Sequence, residues 1–367
     1  TQEAIHCLDI KLQYQQIKDE VAEAVTSVCE QTAFSSGPFV DKFEKEFAEF
    51  SGVPYCCGLN NGTSALQLAV IAAGVKPGDE VIVPANTFIA TAWAVSYAGA
   101  TPVFADCLPD TWNINPAEIA RLATKKTKAV IGVHLYGQPC DIDGVKKAAD
   151  DLKLTFIEDC AQAHGAKYRG RPVGKTGFAG CFSFYPGKNL GAYGEAGAVV
   201  CSDAALDKHF KSLRNHGSTV RYHHDELGFN MRMDGIQAAI LSVKLKRLAA
   251  WNERRKQIAR MYQRGIKNSR VTLQAQPEWS DSVYHLFVLC TEKRDELLKH
   301  LENNGIHAGL HYPVPCHLQK AYASLGYKKG SLPNAEKLAQ SCLSLPMYAE
   351  LSDEQVERVI NAVNGYQ

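Results

Sequence analysis

Lys188 is the side chain of this sequence best placed for covalent chemistry. It follows an apolar stretch at residues 180–184 and the dipeptide Pro186-Gly187. Nearby aromatic rings and backbone can partly desolvate an amine, which lowers its pKa toward the neutral, nucleophilic form. An isolated lysine is usually a solvated surface residue. This one follows a predicted strand and lies downstream of an acidic residue at another strand end, so it is our candidate catalytic residue.

That acidic residue is Asp159, which comes directly after the apolar residues 154–158. Open α/β sheets bind ligands at the carboxyl ends of their strands. A carboxylate there could keep a pyridine nitrogen protonated, so that the ring accepts electrons, as pyridoxal 5′-phosphate (PLP) requires. Asp159 could equally be a helix cap. Taken alone, it leaves both interpretations open.

A phosphate seat is suggested by Gly62, Thr63 and Ser64, which come immediately before a helical pattern. The free N–H groups of a helix start, together with the helix dipole and hydroxyl donors, bind anions well. Simple helix capping would use the same residue types. The motif is therefore weak when it is considered alone.

Two glycine-rich segments resemble nucleotide-binding motifs without matching them. Residues 170–176 have three residues between their glycines where a P-loop requires four, and no apolar strand precedes them. We expect a surface turn there. Residues 191–197 read G-x-x-G-x-x-G, which differs from the dinucleotide-binding G-x-G-x-x-G. Neither segment supports a kinase or a dehydrogenase.

The elements that must position these residues form an alternating pattern. Short apolar runs separated by helix-length segments predict an α/β fold with a mainly parallel sheet covered by helices on both faces. A charged helical stretch is expected to begin at Trp251, and a capping box at Ser352 to open the last helix. We predict a large PLP-binding domain at 1–250 and a smaller α+β domain at 251–367. Strands are predicted at 80–84, 101–106, 129–133, 154–158, 180–184, 197–201 and 284–289, and helices at 91–97 and over Phe39, Phe43, Phe47 and Phe50.

Composition argues against several kinds of partner. The 367 residues include 40 basic and 39 acidic side chains, and this balance gives no electrostatic case for nucleic acid or an anionic membrane. We find neither a secretory signal nor a run of 18 apolar residues, so we expect a cytoplasmic protein. The twelve cysteines include no C-x-x-C pair. Buried free thiols are therefore expected, with no disulfide framework and no metal site.

Several long motifs together resemble the DegT/StrS family of sugar aminotransferases, which are fold-type I PLP enzymes. The likeness spans nearly the whole chain in the expected order, and this makes it far more specific than any one motif. The motifs are N-G-T-S at 61–64, N-T-F-I-A-T at 86–91, E-D-C-A-Q-A-H-G at 158–165, F-S-F-Y-P-G-K-N at 182–189, G-F-N-M-R-M-D at 228–234, H-Y-P-V-P at 311–315 and L-S-L-P-M at 343–347.

The resemblance implies a role for each matching position. Lys188 would bind the cofactor covalently and later move the proton, and Asp159 would pair with the pyridinium nitrogen. Some family members carry histidine in place of this lysine and are dehydratases or deoxygenases, so the lysine favours transamination. The other implied cofactor contacts are Gln162 at the ring hydroxyl, Phe88 on the ring face, Gly62, Thr63, Ser64 and Ser183 at the phosphate, and Asn230 reaching the phosphate from the second subunit of a homodimer.

The segment 311–319 resembles relatives that aminate carbon 3 of a hexose. The resemblance therefore favours a nucleotide-linked 3-keto hexose or 3-keto-6-deoxyhexose as acceptor and L-glutamate as donor, with His311 and Tyr312 as candidate substrate contacts. These two residues could instead pack at the domain junction. A 4-keto sugar, a keto-cyclitol such as scyllo-inosose, a PLP-dependent sugar dehydratase and a non-catalytic sensor remain alternatives.

Overall fold

A computed structural model describes residues 3–367 of the chain. Its helices are α1 (Ile10–Glu30), α2 (Pro38–Ser51), α3 (Gly62–Ala72), α4 (Ala90–Tyr97), α5 (Pro116–Leu122), α6 (Ile142–Asp151), α7 (Ala204–Arg214), α8 (Gly235–Gly265), α9 (Arg294–Asn303), α10 (Pro333–Ser341) and α11 (Asp353–Gly365). Its strands are β1 (Tyr55–Leu59), β2 (Glu80–Pro84), β3 (Thr101–Ala105), β4 (Thr127–Val133), β5 (Thr155–Asp159), β6 (Lys167–Tyr168), β7 (Arg171–Pro172), β8 (Gly180–Ser183), β9 (Gly197–Cys201), β10 (Thr272–Leu273), β11 (Ser280–Asp281), β12 (Phe287–Cys290) and β13 (Cys342–Leu345).

The largest sheet has seven strands in the order β1-β9-β8-β5-β4-β2-β3. Strands β3, β2, β4, β5 and β8 pair in parallel, while β9 runs antiparallel to both of its neighbours. The carboxyl ends of β5 and β8 therefore lie at the same edge of the sheet. That edge is where a ligand site is expected.

Helices cover both faces of this sheet. Because side chains alternate along a strand, Val81 and Val83 pack into one buried cluster while Ile82 packs into another. The first cluster includes apolar residues of α3 and α4, and the second includes those of α2, α6 and α8. The predicted α/β fold with a mainly parallel, doubly covered sheet is confirmed.

Helix α8 corrects one prediction. The charged stretch does not begin a helix at Trp251, because α8 already begins at Gly235. Its first half buries Leu241 and Leu248 under the large sheet, and its second half buries Ile258 in a separate C-terminal cluster. The residue composition changes within α8 because its two halves pack in different clusters. A domain division near residue 250 stays a prediction.

Most of the elements that were predicted agree with the structure. Six of the seven predicted strands lie within two residues of their predicted bounds, and α2, α4 and the Ser352 capping box are present. The strand predicted at 284–289 is shifted to Phe287–Cys290, since Tyr284 has a φ of 44° and cannot continue an extended strand. Strands β1, β6, β7, β10, β11 and β13 and helices α1, α5, α6, α7, α9 and α10 were not predicted individually.

The cysteines are free thiols, as expected. All twelve are unpaired and nine of them are buried. Burial raises the pKa of a thiol such as Cys57, to about 12 in that case, so the reactive thiolate is scarce. Among the helices in residues 3–367, none has the length and apolar character needed to cross a membrane.

Candidate active site

Strands β5 and β8 bring Lys188 and Asp159 into one region. Asp159 is the last residue of β5 and pairs with Cys181 of β8, and Lys188 follows the end of β8 in a turn where its N–H donates to Tyr185 O at 2.9 Å. Burial lowers the pKa of Lys188 to about 8, and the nearby negative charge of Asp159 opposes that shift. A substantial neutral fraction of the amine is therefore available near pH 8.

Asp159 is buried and already holds two donors. Thr91 Oγ1 on α4 donates to Oδ2 at 2.8 Å, and Ala161 N donates to Oδ1 at 3.1 Å. Burial raises the pKa of this carboxyl, while both hydrogen bonds and the charge of Lys188 act in the opposite direction. A protonated pyridine nitrogen would supply the cation that this buried carboxylate needs.

The phosphate candidates lie at the start of α3, beside the end of β8. Asn61 caps the helix by accepting from Ser64 N at 2.8 Å, so Thr63 and Ser64 hydroxyls are not required for capping. A Cβ on Gly62 would lie 2.6 Å from Ser183 Cβ. The glycine therefore allows Ser183 to approach the open N–H groups of the first turn.

A second glycine is required on β9, against the start of α3. A Cβ at Gly197 of β9 would lie 2.3 Å from the carbonyl carbon of Asn61 and 2.6 Å from Gly62 N. No side chain can occupy that space without moving the helix start. Two glycines far apart in sequence thus shape one cradle of N–H and O–H donors, which fits a phosphate.

Gln162 connects the cofactor candidates to the substrate candidates. Its Nε2 donates to Tyr312 Oη at 3.0 Å, and its Oε1 accepts from Tyr136 N at 2.6 Å. The Tyr312 ring lies 5.7 Å from the half-exposed Phe88 ring, between centroids. Tyr136 Oη in turn donates to His311 O at 2.5 Å. Tyr312 and His311 therefore lie beside the predicted cofactor contacts.

Asn230 belongs to a segment that runs beside the end of β1. It is exposed, and its backbone bridges Asn215 while the following residues run beside Leu59 and Asn60. Its predicted contact with a second subunit concerns a chain that is not present. That role stays a prediction.

Three histidines surround Lys188, of which the sequence reasoning assigned a role only to His311. Burial and the Lys188 charge lower the pKa of His311 to about 4 and that of His164 to about 3, and they place the pKa of His285 well below its usual value. His285 also hydrogen-bonds Asn189 through Nδ1 at 3.2 Å. All three imidazoles are therefore neutral and do not compete with Lys188 for protons. His285 lies in a segment without a motif. It is identified as a site residue only because the fold places it near Lys188.

Thr91 was also missed as a site residue. It ends the motif at 86–91, and its position on α4 opposite β5 gives it a direct hydrogen bond to Asp159. In the sequence it is only a threonine near the start of a predicted helix, and such a residue most often packs against neighbouring elements without a functional role.

Taken together, these groups fit PLP. A partly neutral lysine, a buried carboxylate, a donor cradle and an aromatic ring lie at one edge of the sheet, which is the donor set that the cofactor requires. The residues that would hold it are Lys188, Asp159, Gln162, Phe88, Gly62, Thr63, Ser64 and Ser183.

Comparison with known proteins gives consistent matches. Residues 15–364 match the DegT/DnrJ/EryC1/StrS aminotransferase family. A pleiotropic regulatory protein of Geobacillus stearothermophilus is 45% identical, covering 97% of this chain and 96% of its own. The dTDP-3-amino-3,4,6-trideoxy-alpha-D-glucose transaminase of Streptomyces venezuelae is 44% identical, covering 98% and 95%.

The fold matches solved structures equally well. The crystal structure of S. venezuelae DesV in complex with a ketimine intermediate superposes with a TM-score of 0.97 at 43% identity, covering 99% of this chain and 98% of that one. Further matching structures hold PLP or the cofactor's amine form, PMP.

Proposed function

This chain belongs to the DegT/DnrJ/EryC1/StrS aminotransferase family, and on that premise we propose that it moves the amino group of L-glutamate to carbon 3 of a nucleotide-linked 3-keto sugar. It is a PLP-dependent sugar aminotransferase. The observation that carries the proposal is the placement of the Lys188 amine, with its lowered pKa, beside the buried carboxylate of Asp159.

Bound PLP supplies a carbonyl carbon that reacts with amines and a ring that accepts electrons. Lys188 would bind that carbon when no substrate is present. With an amino donor in its place, the free Nζ would take a proton from the donor Cα and return it on the cofactor side, and positioned proton transfer of this kind contributes roughly 10²–10⁴-fold. In the second half-reaction the same amine would move the proton in the reverse direction.

Asp159 and the donor cradle have separate tasks. The Asp159 carboxylate, which accepts from Thr91, would keep the ring nitrogen of PLP protonated. The start of α3 and Ser183 would hold its phosphate and so keep the cofactor in place when Lys188 is released from it. Neutral His311 and His285 add no positive charge beside Lys188, so burial and the charge of Asp159 remain the influences on its pKa.

The choice of carbon 3 is supported by a relative and by the position of two side chains. The S. venezuelae relative is named as a transaminase that forms a 3-amino sugar. Tyr312 and His311 lie beside Gln162 and Phe88, where a sugar bound over the cofactor would meet them. A 4-keto sugar and a keto-cyclitol use the same chemistry and remain the alternative acceptors.

Two other functions are less well supported by the residues. A PLP-dependent sugar dehydratase of this family would replace Lys188, and a non-catalytic regulator would be expected to lose Lys188, Asp159 or the phosphate seat. This chain retains all three. The regulatory name of the Geobacillus relative belongs to that protein.

A panel of nucleotide-linked keto sugars tests the proposal. Purified enzyme with PLP and L-glutamate should convert a 3-keto sugar and release one 2-oxoglutarate for each amino sugar formed, with slower conversion of 4-keto sugars and scyllo-inosose. Preference for either alternative would refute the carbon 3 assignment. Loss of oxygen from the sugar without consumption of glutamate would identify a dehydratase.

A further inference from the structure

Glu158, the neighbour of Asp159, is a buried carboxylate that the mechanism above does not use. It is 0% exposed. Four donors surround it: His134 Nε2 at 3.0 Å and Gly174 N at 2.8 Å bind Oε2, while Thr176 N at 2.8 Å and Gly177 N at 2.6 Å bind Oε1. Burial disfavours its charge, yet these hydrogen bonds outweigh burial and hold the pKa of Glu158 below its usual range.

The backbone donors belong to the glycine-rich segment that resembles a P-loop. The turn at Arg169 and Gly170 is on the surface, as expected, but Val173 and Gly174 are buried. The amides of Gly174, Thr176 and Gly177 donate to Glu158. The segment does form an anion cradle of backbone N–H groups. The anion that it binds is a carboxylate of the same chain.

Close packing shows that the backbone of residues 174–177 fits tightly around Glu158. A Cβ on Gly177 would lie 3.1 Å from Glu158 Cγ, and one on Gly180 would lie 2.5 Å from Gly174 Cα. Gly174 itself has a φ of +84°, which favours glycine. Glycine is therefore needed at each of these three positions.

His134 donates its proton in a defined tautomer. Cys140 N donates to His134 Nδ1 at 3.1 Å, so Nδ1 is the unprotonated nitrogen and Nε2–H faces Glu158. His134, Glu158 and Cys160 are close enough together to suggest metal ligands. The hydrogen bonds already engage the imidazole and the carboxylate, so the arrangement is explained without a metal.

Glu158 and Asp159 project to opposite faces of β5 because side chains alternate along a strand. The end of β5 has only a short ladder to β8, with Glu158 opposite Gly180 and Asp159 opposite Cys181. The cradle fixes Glu158 on one face, and that constraint is transmitted through the shared backbone to Asp159 on the other.

We propose that Glu158 is a positioning residue for Asp159: by filling the cradle of residues 174–177, it holds the end of β5 where the Asp159 carboxylate can meet the ring nitrogen of PLP. This inference rests on the proposed function, because it assumes the cofactor contact of Asp159. It assigns Glu158 no contact with PLP or substrate.

The test is a double-mutant cycle with E158Q and D159N in the full-length protein. A glutamine keeps the shape of Glu158 but places an NH₂ group against N–H donors, so the cradle should open. The readout is the PLP dissociation constant, followed by cofactor absorbance. We expect E158Q to weaken PLP binding on the order of 10-fold, as for the loss of one charge-assisted hydrogen bond. In the D159N background the same change should cost less than about 2-fold, since coupled residues are not additive.

A matched control is available in Glu336, another buried carboxylate that accepts from a histidine, His317, and from the loop amides of Gly330 and Leu332. E336Q should weaken PLP binding by the same small factor in both backgrounds. Amide hydrogen exchange in the cofactor-free protein should accelerate at 174–177 in E158Q and stay unchanged there in E336Q.

The outcomes separate the inference from the function on which it rests. Equal losses from E158Q in both backgrounds, or no loss at all, would overturn the inference. If D159N itself leaves PLP affinity and the glutamate half-reaction unchanged, the role proposed for Asp159 is wrong as well. Should E158Q fail to fold, H134A removes one donor and is expected to give a smaller, equally non-additive loss. H134Q, whose NH₂ can replace Nε2–H, should restore part of it.

Discussion

Replacing Thr91 with valine tests how the buried carboxylate of Asp159 is kept in place. Thr91 is 1% exposed and Asp159 4% exposed, and the hydrogen bond between them is 2.8 Å long. Valine has the same shape without the hydroxyl, so T91V removes the donor to Asp159 together with the acceptor of the hydrogen bond from Thr87. Because the single hydroxyl proton of Thr91 goes to Asp159, Thr87 must be the donor in the 2.9 Å contact between the two threonines.

The magnitude follows from the chemistry of the lost bond. A hydrogen bond to a charged, buried acceptor is worth about 1.5–3 kcal/mol, so T91V should lower the free energy of unfolding of the cofactor-free protein by that amount at neutral pH. Burial already raises the pKa of Asp159, and loss of the donor raises it further. The folded protein then holds the proton more tightly than the unfolded chain does. The stability difference between wild type and T91V should therefore be complete at neutral pH and shrink as the pH falls toward the ordinary aspartate value of about 4.

Urea denaturation of both cofactor-free proteins at several pH values measures this difference. PLP titration of the same samples should show affinity reduced by about 10-fold, in line with the lower end of that energy range. T87V is the matched control: it removes a neighbouring hydroxyl that does not touch Asp159, and it should cost distinctly less in both assays. Equal losses from T87V and T91V, or a T91V loss that does not depend on pH, would show that Asp159 is not held through this hydrogen bond.

Four further predictions concern the lysine, the phosphate site and the subunit contact of Asn230. K188A should abolish turnover and the visible absorbance of the lysine-bound cofactor, and near-normal turnover would refute the assignment of Lys188. In the cofactor-free protein the folded-state pKa of Lys188, about 8, lies below that of the unfolded chain, so wild type should gain stability relative to K188M as the pH rises from about 8 to 10; denaturation across that range measures it. G62A places a Cβ 2.6 Å from Ser183 Cβ and should weaken PLP binding at least about 10-fold in a titration, whereas G365A, with open space around it, should not. If the sites are shared in a homodimer, mixing inactive K188A and N230A subunits should restore activity through one intact site per hybrid, and no recovery would argue against the role of Asn230.

The sequence predicted those parts of the fold that depend on local pattern. Strands such as β2 and β9 are short apolar runs between turns, and the periodicity of α2 is helical throughout, so their bounds agree closely with the structure. Strand direction was harder to predict. Strand β9 runs antiparallel because residues 184–196 return along the same edge without a crossover helix, and no local pattern reveals that.

Site residues that belong to a sequence motif were predicted. Site residues that reach the site only through the tertiary fold were missed. Lys188, Asp159 and the start of α3 follow from position at strand and helix ends. His285 and Thr91 become visible only when α4 and residue 285 converge on β5 and β8. The segment 170–176 illustrates the opposite error. Its failure to match a P-loop gave no sign that its amides bind Glu158.

The charges of the site indicate how the proposed phosphate contacts would bind a dianion without a cationic side chain. Thr63, Ser64 and Ser183, the proposed phosphate contacts of this chain, are neutral, and the histidines around Lys188 are neutral as well. The α3 N-terminus must therefore supply the positive potential, through N–H groups whose positions are set by the close approach of Gly62 and Gly197. A lysine or arginine placed there would satisfy the phosphate, but it would also raise the positive potential around Lys188 and favour loss of its proton beyond what burial achieves. Binding the phosphate with backbone dipoles would leave the basicity of Lys188 under the control of burial and Asp159, the two influences that set its pKa at about 8.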